Sequence, residues 1–462
     1  MKELLTKVKG KMNLENILCL YLVIQPIIDM ITSLCVRNIS DKLSIGILVR
    51  MTFMVAIAIY ALIKADKKGR IKLIIYYIVL AVYCITYMIS RYKINGMNMI
   101  FAEIKGLIKT AYFPVVLAAL LTIFKKKEYK TKIKYLNTTI LVYSIIIMVS
   151  KIFNIAYTTY SDKIYLGTVG LFYAGNEIGA ILSILIPFNL MTFFTKNFKI
   201  YNVICTALGI YAILELGTKT PFIVIVGLLA ITMMIMMIKM FTKERKNIYK
   251  YFVATVTGII VLIVCINKVP AITNLKIKLN DSNITSEKPT TPTTPTTPKN
   301  PQKPVQNTEE EKKTNIILLK LLSNRNIYLQ DALKEYKASD IETKILGIGY
   351  IHKNLAQVTE ERKLVESDYF DIFFCHGIWG TVLYIVPLAI MIVEIIKKFF
   401  KHFKQNVIDA KVLLNLYSIL MGLAIALVAG HVFTAPAVSI FMIFSMFELL
   451  SLLKSKEEVY EK

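Results

Sequence analysis

Long apolar runs alternate with short polar segments along most of the chain. A hydrocarbon core near 30 Å asks about 20 apolar residues of a helix. Twelve such runs can be placed, at 13–36, 43–63, 71–90, 99–124, 135–153, 171–195, 200–216, 221–238, 251–268, 372–396, 412–429 and 432–453. Backbone in lipid must satisfy its own hydrogen bonds, so the pattern predicts an all-α integral membrane protein. The first run is long and no small-x-small site follows it, so it reads as a span and not as a cleavable leader.

One interval breaks the rhythm. Residues 269–371 are polar and contain a Pro-Thr-Thr repeat from Pro289 to Pro298, then Lys/Gln/Glu-rich sequence to Lys313. Such composition cannot bury a core, and 289–313 reads as an extended or disordered spacer. Apolar residues return at Ile316, Ile317, Leu321, Leu322, Ile327, Tyr328, Ala332, Leu333 and Tyr336 with helical spacing. They predict helices lying on the lipid surface or on the bundle. A turn at Leu346-Gly-Ile-Gly-Tyr350 follows, then Val365-Glu-Ser-Asp-Tyr-Phe-Asp371, which leads into the tenth span. The chain thus divides into spans one to nine (1–268), a large loop (269–371, with 314–371 ordered and helical) and spans ten to twelve (372–462).

Charge orients the array. The segments on one side hold 30 Lys and Arg in 71 residues, and the short segments on the other hold 6 in 37. The positive-inside rule places both termini in the cytoplasm and the large loop outside a multi-pass cell membrane protein. The net charge of +25 then records topology and contact with anionic lipid. No nucleic-acid motif accompanies it. Only 19% of the 462 residues are charged and mean hydropathy is +0.56, which excludes an ordinary soluble domain. Cys19, Cys35, Cys84, Cys205, Cys265 and Cys375 lie in or beside apolar runs, with no CxxC, and read as small buried hydrophobes. No metal site or cofactor is expected.

Ionisable residues inside spans are costly and are candidates for function. Asp29, Glu103, Lys105, Lys109 and Glu177 qualify, with the polar Asn176 beside Glu177 and Glu215 and Lys219 flanking the outer end of span seven, although an interhelical hydrogen bond or ion pair explains any one of them. Glu394 and Glu448 lie towards the cytoplasmic side, where a carboxylate meets water. Arg37, Arg91, Lys105, Lys109, Lys219 and Arg325 fall on the outer side against the charge bias. A convergent set of such cations suits a lipid pyrophosphate. Scattered surface charge is the plainer account of each.

Four stretches resemble the O-antigen ligase and polysaccharide polymerase superfamily of bacterial envelopes, as a Gram-positive-type member. Leu214-Glu-Leu-Gly-Thr-Lys-Thr-Pro221 stands where the family has a short Gly/Ser-Thr-Arg turn. Ser323-Asn-Arg325 with Tyr328, Ala332 and Leu346-Gly-Ile-Gly349 is similar to the succession in the family's large loop. Glu366-Ser-Asp-Tyr-Phe-Asp371 with Gly377-Ile-Trp-Gly380 resembles the motif that ends it, and Tyr173-Ala-Gly-Asn-Glu-Ile-Gly179 the span before the short turn. The resemblance implies a GT-C-type helical bundle. It implies metal-independent, inverting transfer of a glycan from an undecaprenyl-pyrophosphate carrier to an acceptor, in capsule or cell-wall synthesis. The acceptor is another carrier-linked glycan in a polymerase, and a lipid or wall component in a ligase. A flippase and a chain-length regulator are possible partners. Carried over residue by residue, Arg325 and Lys219 hold the pyrophosphate, and Arg91 and Lys105 join them as further cations of the outer side. Glu366, where relatives carry His, or Asp368 takes the acceptor's proton. Lys219 replaces the family's Arg. His352 and His376 are reserve bases, and Asn176 and Glu177 are further candidates. His402 falls on the cytoplasmic side, and His431 stays open at the last outer turn.

Two readings from other classes remain. A lipid-linked oligosaccharide flippase would also have about twelve spans and buried charges, but the long outer loop and the lack of a visible internal repeat speak against it. A non-enzymatic assembly or sensor protein is the third.

Overall fold

The computed structural model describes residues 14–39, 44–97, 99–125, 133–161, 164–194, 199–240, 266–277, 325–353 and 359–460, with four isolated positions between 240 and 266. Helices α1 (Leu14–Asn38), α2 (Ile45–Lys64), α3 (Lys67–Asn95), α4 (Ile100–Ile123) and α5 (Ile133–Ile152) come first. Short polar residues start α2 and α3. Ser44 accepts from Ile47 N at 3.4 Å ahead of α2, and Asp66 from Gly69 N at 2.8 Å ahead of α3. Each satisfies an amide that the first helical turn leaves open.

A two-stranded hairpin, β1 (Tyr157–Thr158) and β2 (Thr168–Gly170), leads to α6 (Gly175–Met191), α7 (Ile200–Glu215) and α8 (Lys219–Met240). The loop contributes α9 (Arg325–Ala338), α10 (Ile341–Leu346) and the antiparallel hairpin β3 (Ile351–Lys353) and β4 (Thr359–Glu361), which pairs His352 with Glu360. Helices α11 (Asp368–Lys401), α12 (Ala410–Val428) and α13 (Pro436–Tyr460) complete the chain.

Ten of the described helices are long and apolar enough to cross a membrane. Of the other two expected spans, 200–216 is α7, a 16-residue helix shorter than a full crossing. Most of the run at 251–268 lies outside the described residues, as do all of the spacer 289–313 and the start of the predicted helical part, 314–324. The fold class is therefore the expected all-α membrane bundle, with two small hairpins that period-3.6 reasoning missed. Both are too short for an alternating pattern to show.

Helices α13 and α6 form the centre: 89% and 78% of their most apolar stretches are buried, against 22% in α2 and α3. The latter present Ile59, Ile63, Ile75 and Ile78 outward, as lipid-facing helices do. Side-chain amides and hydroxyls join the central helices. Asn137 donates to Asn202 Oδ1 at 2.9 Å, Asn189 to Thr206 Oγ1 at 2.9 Å, and Ser418 to the Ile184 carbonyl at 2.6 Å.

Residues 325–353 and 359–367 cover one end of the bundle, hereafter the loop face. Ala332 of α9 packs with Ile348, Val365 and Phe374, flanked by Tyr328 and Tyr336. Of the two surfaces the spacing allowed, the described part of this helix thus uses the bundle.

Candidate active site at the loop face

A broken helix organises the loop face. Within α11, Gly377 adopts φ 64°, ψ −167°, and the helical ladder stops there. The break exposes the carbonyls of Phe374 and Cys375. Ile348 N donates to the first at 2.8 Å and Gly349 N to the second at 3.2 Å. The Leu346–Tyr350 turn is thereby stitched to the helix. Gly347 and Gly377, both with positive φ, pack backbone to backbone. A Cβ on Gly377 would fall 2.5 Å from Gly347 N, and one on Gly347 would overlap the Cys375 carbonyl. Two glycines are needed because two main chains approach with no room for a side chain.

Three groups hold the turn from other directions. Glu103 of α4 is fully buried and accepts from Tyr87 Oη at 2.5 Å and Tyr350 N at 3.1 Å. Arg362 donates through Nε to the Gly349 carbonyl at 2.9 Å and grips Glu335 of α9 through two bonds of 2.6 Å. Burial works against its charge, but the Glu335 carboxylate outweighs it and raises the Arg362 pKa above its ordinary value. The buried His376 bonds Tyr83 Oη through Nδ1 at 3.1 Å and Tyr350 Oη through Nε2 at 2.8 Å; Tyr350 Oη meets Thr110 Oγ1 at 2.7 Å. Both ring nitrogens are engaged, which makes His376 a tie between α3, α11 and the turn.

The loop then delivers Arg325 and Glu366 to one point. Arg325 Nη2 lies 2.9 Å from Glu366 Oε2, with side chains 17% and 31% exposed, so the pair is open enough to be reached by a ligand. Lys363 stands 4.0 Å from the same carboxylate. Glu366 adopts φ 60°, a left-handed conformation rare outside glycine. The next carboxylate points the other way. Asp368 is fully buried and accepts from His431 N (2.9 Å), Val432 N (2.8 Å), Phe433 N (2.7 Å) and Thr434 Oγ1 (2.5 Å). Both its oxygens are filled by the turn between α12 and α13, which gives it a positioning place. Asp371 similarly closes the loop end, accepting from Val365 N at 2.8 Å and Ser367 N at 3.1 Å.

That turn brings His431 into the neighbourhood. A Cβ on Gly430 would lie 2.9 Å from the Glu366 carbonyl carbon, and His431 itself has φ 61°. Two left-handed non-glycine residues thus sit on adjoining segments bridged by Asp368. Its imidazole has no hydrogen bond or ion pair among the described residues. By contrast, His352 lies on β3 with Nε2 3.4 Å from Glu360.

The remaining candidates lie on other elements. Arg91 is 2% exposed beneath the turn; its Nη2 is 3.4 Å from Ser90 Oγ, and Gly349 fits between its Cδ and Glu103. Lys105 is exposed on α4. Lys219 begins α8 after the positive-φ Gly217, in a turn latched by Asn274, which donates to the carbonyls of Leu166 (2.6 Å) and Gly217 (3.1 Å). Asn176 and Glu177 open α6, half-buried. Asp29 is paired with Arg50 of α2 and accepts from Tyr143 Oη at 2.7 Å, the interhelical ion pair that its location in a span allowed. The structure therefore joins Arg325 to Glu366 directly and Arg91 to the turn. Lys105 makes no hydrogen bond or ion pair with that pair among the described residues.

Sequence reasoning passed over Arg50 and Arg362. Arg50 interrupts the apolar run of α2, a signal of the same kind that singled out Asp29. Arg362 sits in a run of charged loop residues and carried no such signal. The arrangement presents a guanidinium, a carboxylate and an imidazole beside a rigid, glycine-shaped turn. That set can bind an anionic leaving group and accept a proton from a hydroxyl.

No curated protein matches the chain. A family model described as O-antigen ligase like membrane protein matches residues 11–456. The match spans nearly the whole sequence, and the chain belongs to this family of membrane glycan ligases and polymerases.

Proposed function

We propose that this protein is a metal-independent, inverting polysaccharide polymerase of the cell membrane. It takes a glycan from an undecaprenyl-pyrophosphate carrier and passes it to a hydroxyl of a second carrier-linked glycan. The positive-inside bias supports an extracytoplasmic loop face and cytoplasmic termini. The observation that carries the reading is the partly exposed Arg325–Glu366 pair at 2.9 Å, held on a left-handed residue at the mouth of the broken helix.

The roles follow from the chemistry. The acceptor oxygen attacks the anomeric carbon as the bond to the carrier's pyrophosphate oxygen breaks. Negative charge grows on the pyrophosphate, and Arg325 meets it, supported by Lys219, Arg91 and Lys105. The acceptor's proton passes to Glu366. An arriving pyrophosphate competes with Glu366 for Arg325. Drawing the guanidinium away frees a carboxylate oxygen of Glu366 to meet the acceptor hydroxyl. Asp368 fixes the His431 turn against Glu366, and His431 can relay the proton to water.

The test is to replace Arg325 and Glu366 separately with Ala and analyse envelope glycan. Loss of polymer with single carrier-linked units collecting on the outer face is the expected result. Full-length polymer from both stably inserted variants overturns the assignment. Carrier-linked units trapped on the inner face would instead show a flippase, and finished polymer that never leaves its carrier would show a ligase.

A further inference from the structure

The last stretch of the loop, 362–366, lies alongside α9 and runs against it. At one end Arg362 bonds Glu335 through Nη1 and Nη2, both at 2.6 Å. At the other, Glu366 meets Arg325 at 2.9 Å. Between them Val365 shares an apolar cluster with Ala332, and Lys363 Nζ lies 5.7 Å from the Tyr328 ring centroid. The two lengths agree. Four residues of extended chain cover about 13 Å at 3.3 Å each. The ten helical steps from Arg325 to Glu335 cover about 15 Å at 1.5 Å each. Slipping the stretch by one residue would carry Glu366 about 3.3 Å along α9, enough to part it from Arg325. The Arg325–Glu366 pair is therefore one end of a register whose other end is Arg362.

Arg362 is the firmer of the two ends. Its side chain is 8% exposed. Its amide donates to the Tyr350 carbonyl at 2.7 Å. Its guanidinium donates to the carbonyls of Gly349 (2.9 Å), Ile351 (3.3 Å) and Ile348 (3.4 Å). One residue thus serves four consecutive carbonyls of the turn that is stitched to the broken helix α11. A planar fork can meet those carbonyls on one side and a carboxylate on the other, whereas a lysine ammonium is a single point. The Arg325–Glu366 pair has no such support from its own contact, because a partly exposed ion pair holds its geometry weakly. What aligns it is the fixed end of the register.

We propose that Arg362 is a positioning residue for glycan transfer, which sets the register of 362–366 on α9 and so brings Glu366 to Arg325. Glu335 is its counterpart on the helix. The inference rests on the transfer reaction proposed above. Arg362 acts through the pair, since its guanidinium is engaged by the turn and by Glu335.

The experiment separates alignment from stability. The full chain is placed in nanodiscs of bacterial phospholipid, with the host's own carrier-linked glycan as substrate, and rates are normalised to the folded protein seen in a thermal melt. A displacement near 1 Å at reacting groups costs on the order of a hundredfold, so R362K should lower kcat about thirtyfold or more. Its KM should stay within about threefold of wild type, because the loss falls on the transition state. E335A, which frees α9 but leaves Arg362 on the turn, should do the same. In an R325K background, R362K should cost less than about threefold, because the guanidinium that it aligns is gone. Wild-type kcat in R362K or E335A overturns the proposal. The full loss repeated on top of R325K also overturns it, as does a loss that vanishes on normalising to folded protein. Where R362K does not fold, E335A decides by the same limits, its side chain being 43% exposed. R325A and E366A variants that both transfer as wild type does would overturn the proposed function instead, whatever R362K shows.

Discussion

At the residue scale, two neighbouring carboxylates have opposite duties, and substitutions separate them. Glu366 stands in a left-handed conformation that costs a residue with a Cβ roughly 1–2 kcal/mol. E366G relieves that cost while losing the ion pair to Arg325. The variant should unfold within about 2 °C of wild type in detergent, taking that near-cancellation at the usual conversion of stability to melting temperature. Its transfer activity should fall at least a hundredfold. A fully active E366G would remove Glu366 from the mechanism. Asp368 behaves in the reverse sense. D368N sets an amide against donors that now meet carboxylate oxygen, and each unsatisfied donor costs about 1–3 kcal/mol. The expected result is a lower melting temperature and less folded protein, with activity lost only in proportion to folding. The sequence showed Glu366 and Asp368 as equal members of one motif. Only the geometry of the turn at 431–434 tells them apart, because a hydrogen-bond partner 63 residues away leaves no mark in local spacing.

At the element scale, α11 works because it is not continuous. Periodicity announced a span at 372–396, and an apolar pattern runs straight through Gly377. The break comes from a tertiary contact with Gly347. The Leu346–Tyr350 motif was visible as a turn, but its role as a plug for the carbonyls of Phe374 and Cys375 was not. G377A and G347A should each prevent normal assembly of the loop face, with little folded protein in a detergent melt. G96A is the matched comparison. Gly96 also has positive φ, at 69°, but a Cβ there meets nothing within 4 Å. It should cost only the backbone strain of about 1–2 kcal/mol. Equal damage in all three would show that conformation, and not packing, sets the requirement. Away from the loop face, Asp409 caps α12 and pairs with Lys456 of α13. Burial favours its neutral form, but Lys456 and the two amides win and hold its pKa below the usual carboxylate value. A depressed folded-state pKa stabilises above the unfolded value, near 4. That stabilisation disappears as pH falls through the folded-state value. The melting-temperature gap between wild type and D409N should be constant above about pH 5 and close towards pH 3. A gap that widens on acidification would refute this account.

At the scale of the whole molecule, ten of the twelve expected spans were legible because lipid enforces one simple rule on every full crossing. The hairpins obey no such rule and appear only in the structure, and the run at 200–216, read as a full span, is the shorter helix α7. The loop was legible as a change of composition, and its division can be tested by deletion. Residues 278–324 join the helical residues 270–277 to α9, and 289–313 is the Pro/Thr and Lys/Gln/Glu-rich part. Every described contact of the candidate site comes from Arg325 onward or from the bundle helices. Removing 289–313 still leaves 22 residues for the connection, which can reach roughly 70 Å when extended at 3.3 Å each. Loop-closure free energy changes by well under 1 kcal/mol for a twofold change in length. The deletion should therefore insert and melt as wild type does. It should make polymer within twofold of the normal amount, measured against R325A in the same cells. Loss of polymer in a deletion variant that melts normally would assign the Pro/Thr tract a part in recognising the carrier-linked glycan, beyond that of a tether between Asn274 and Arg325.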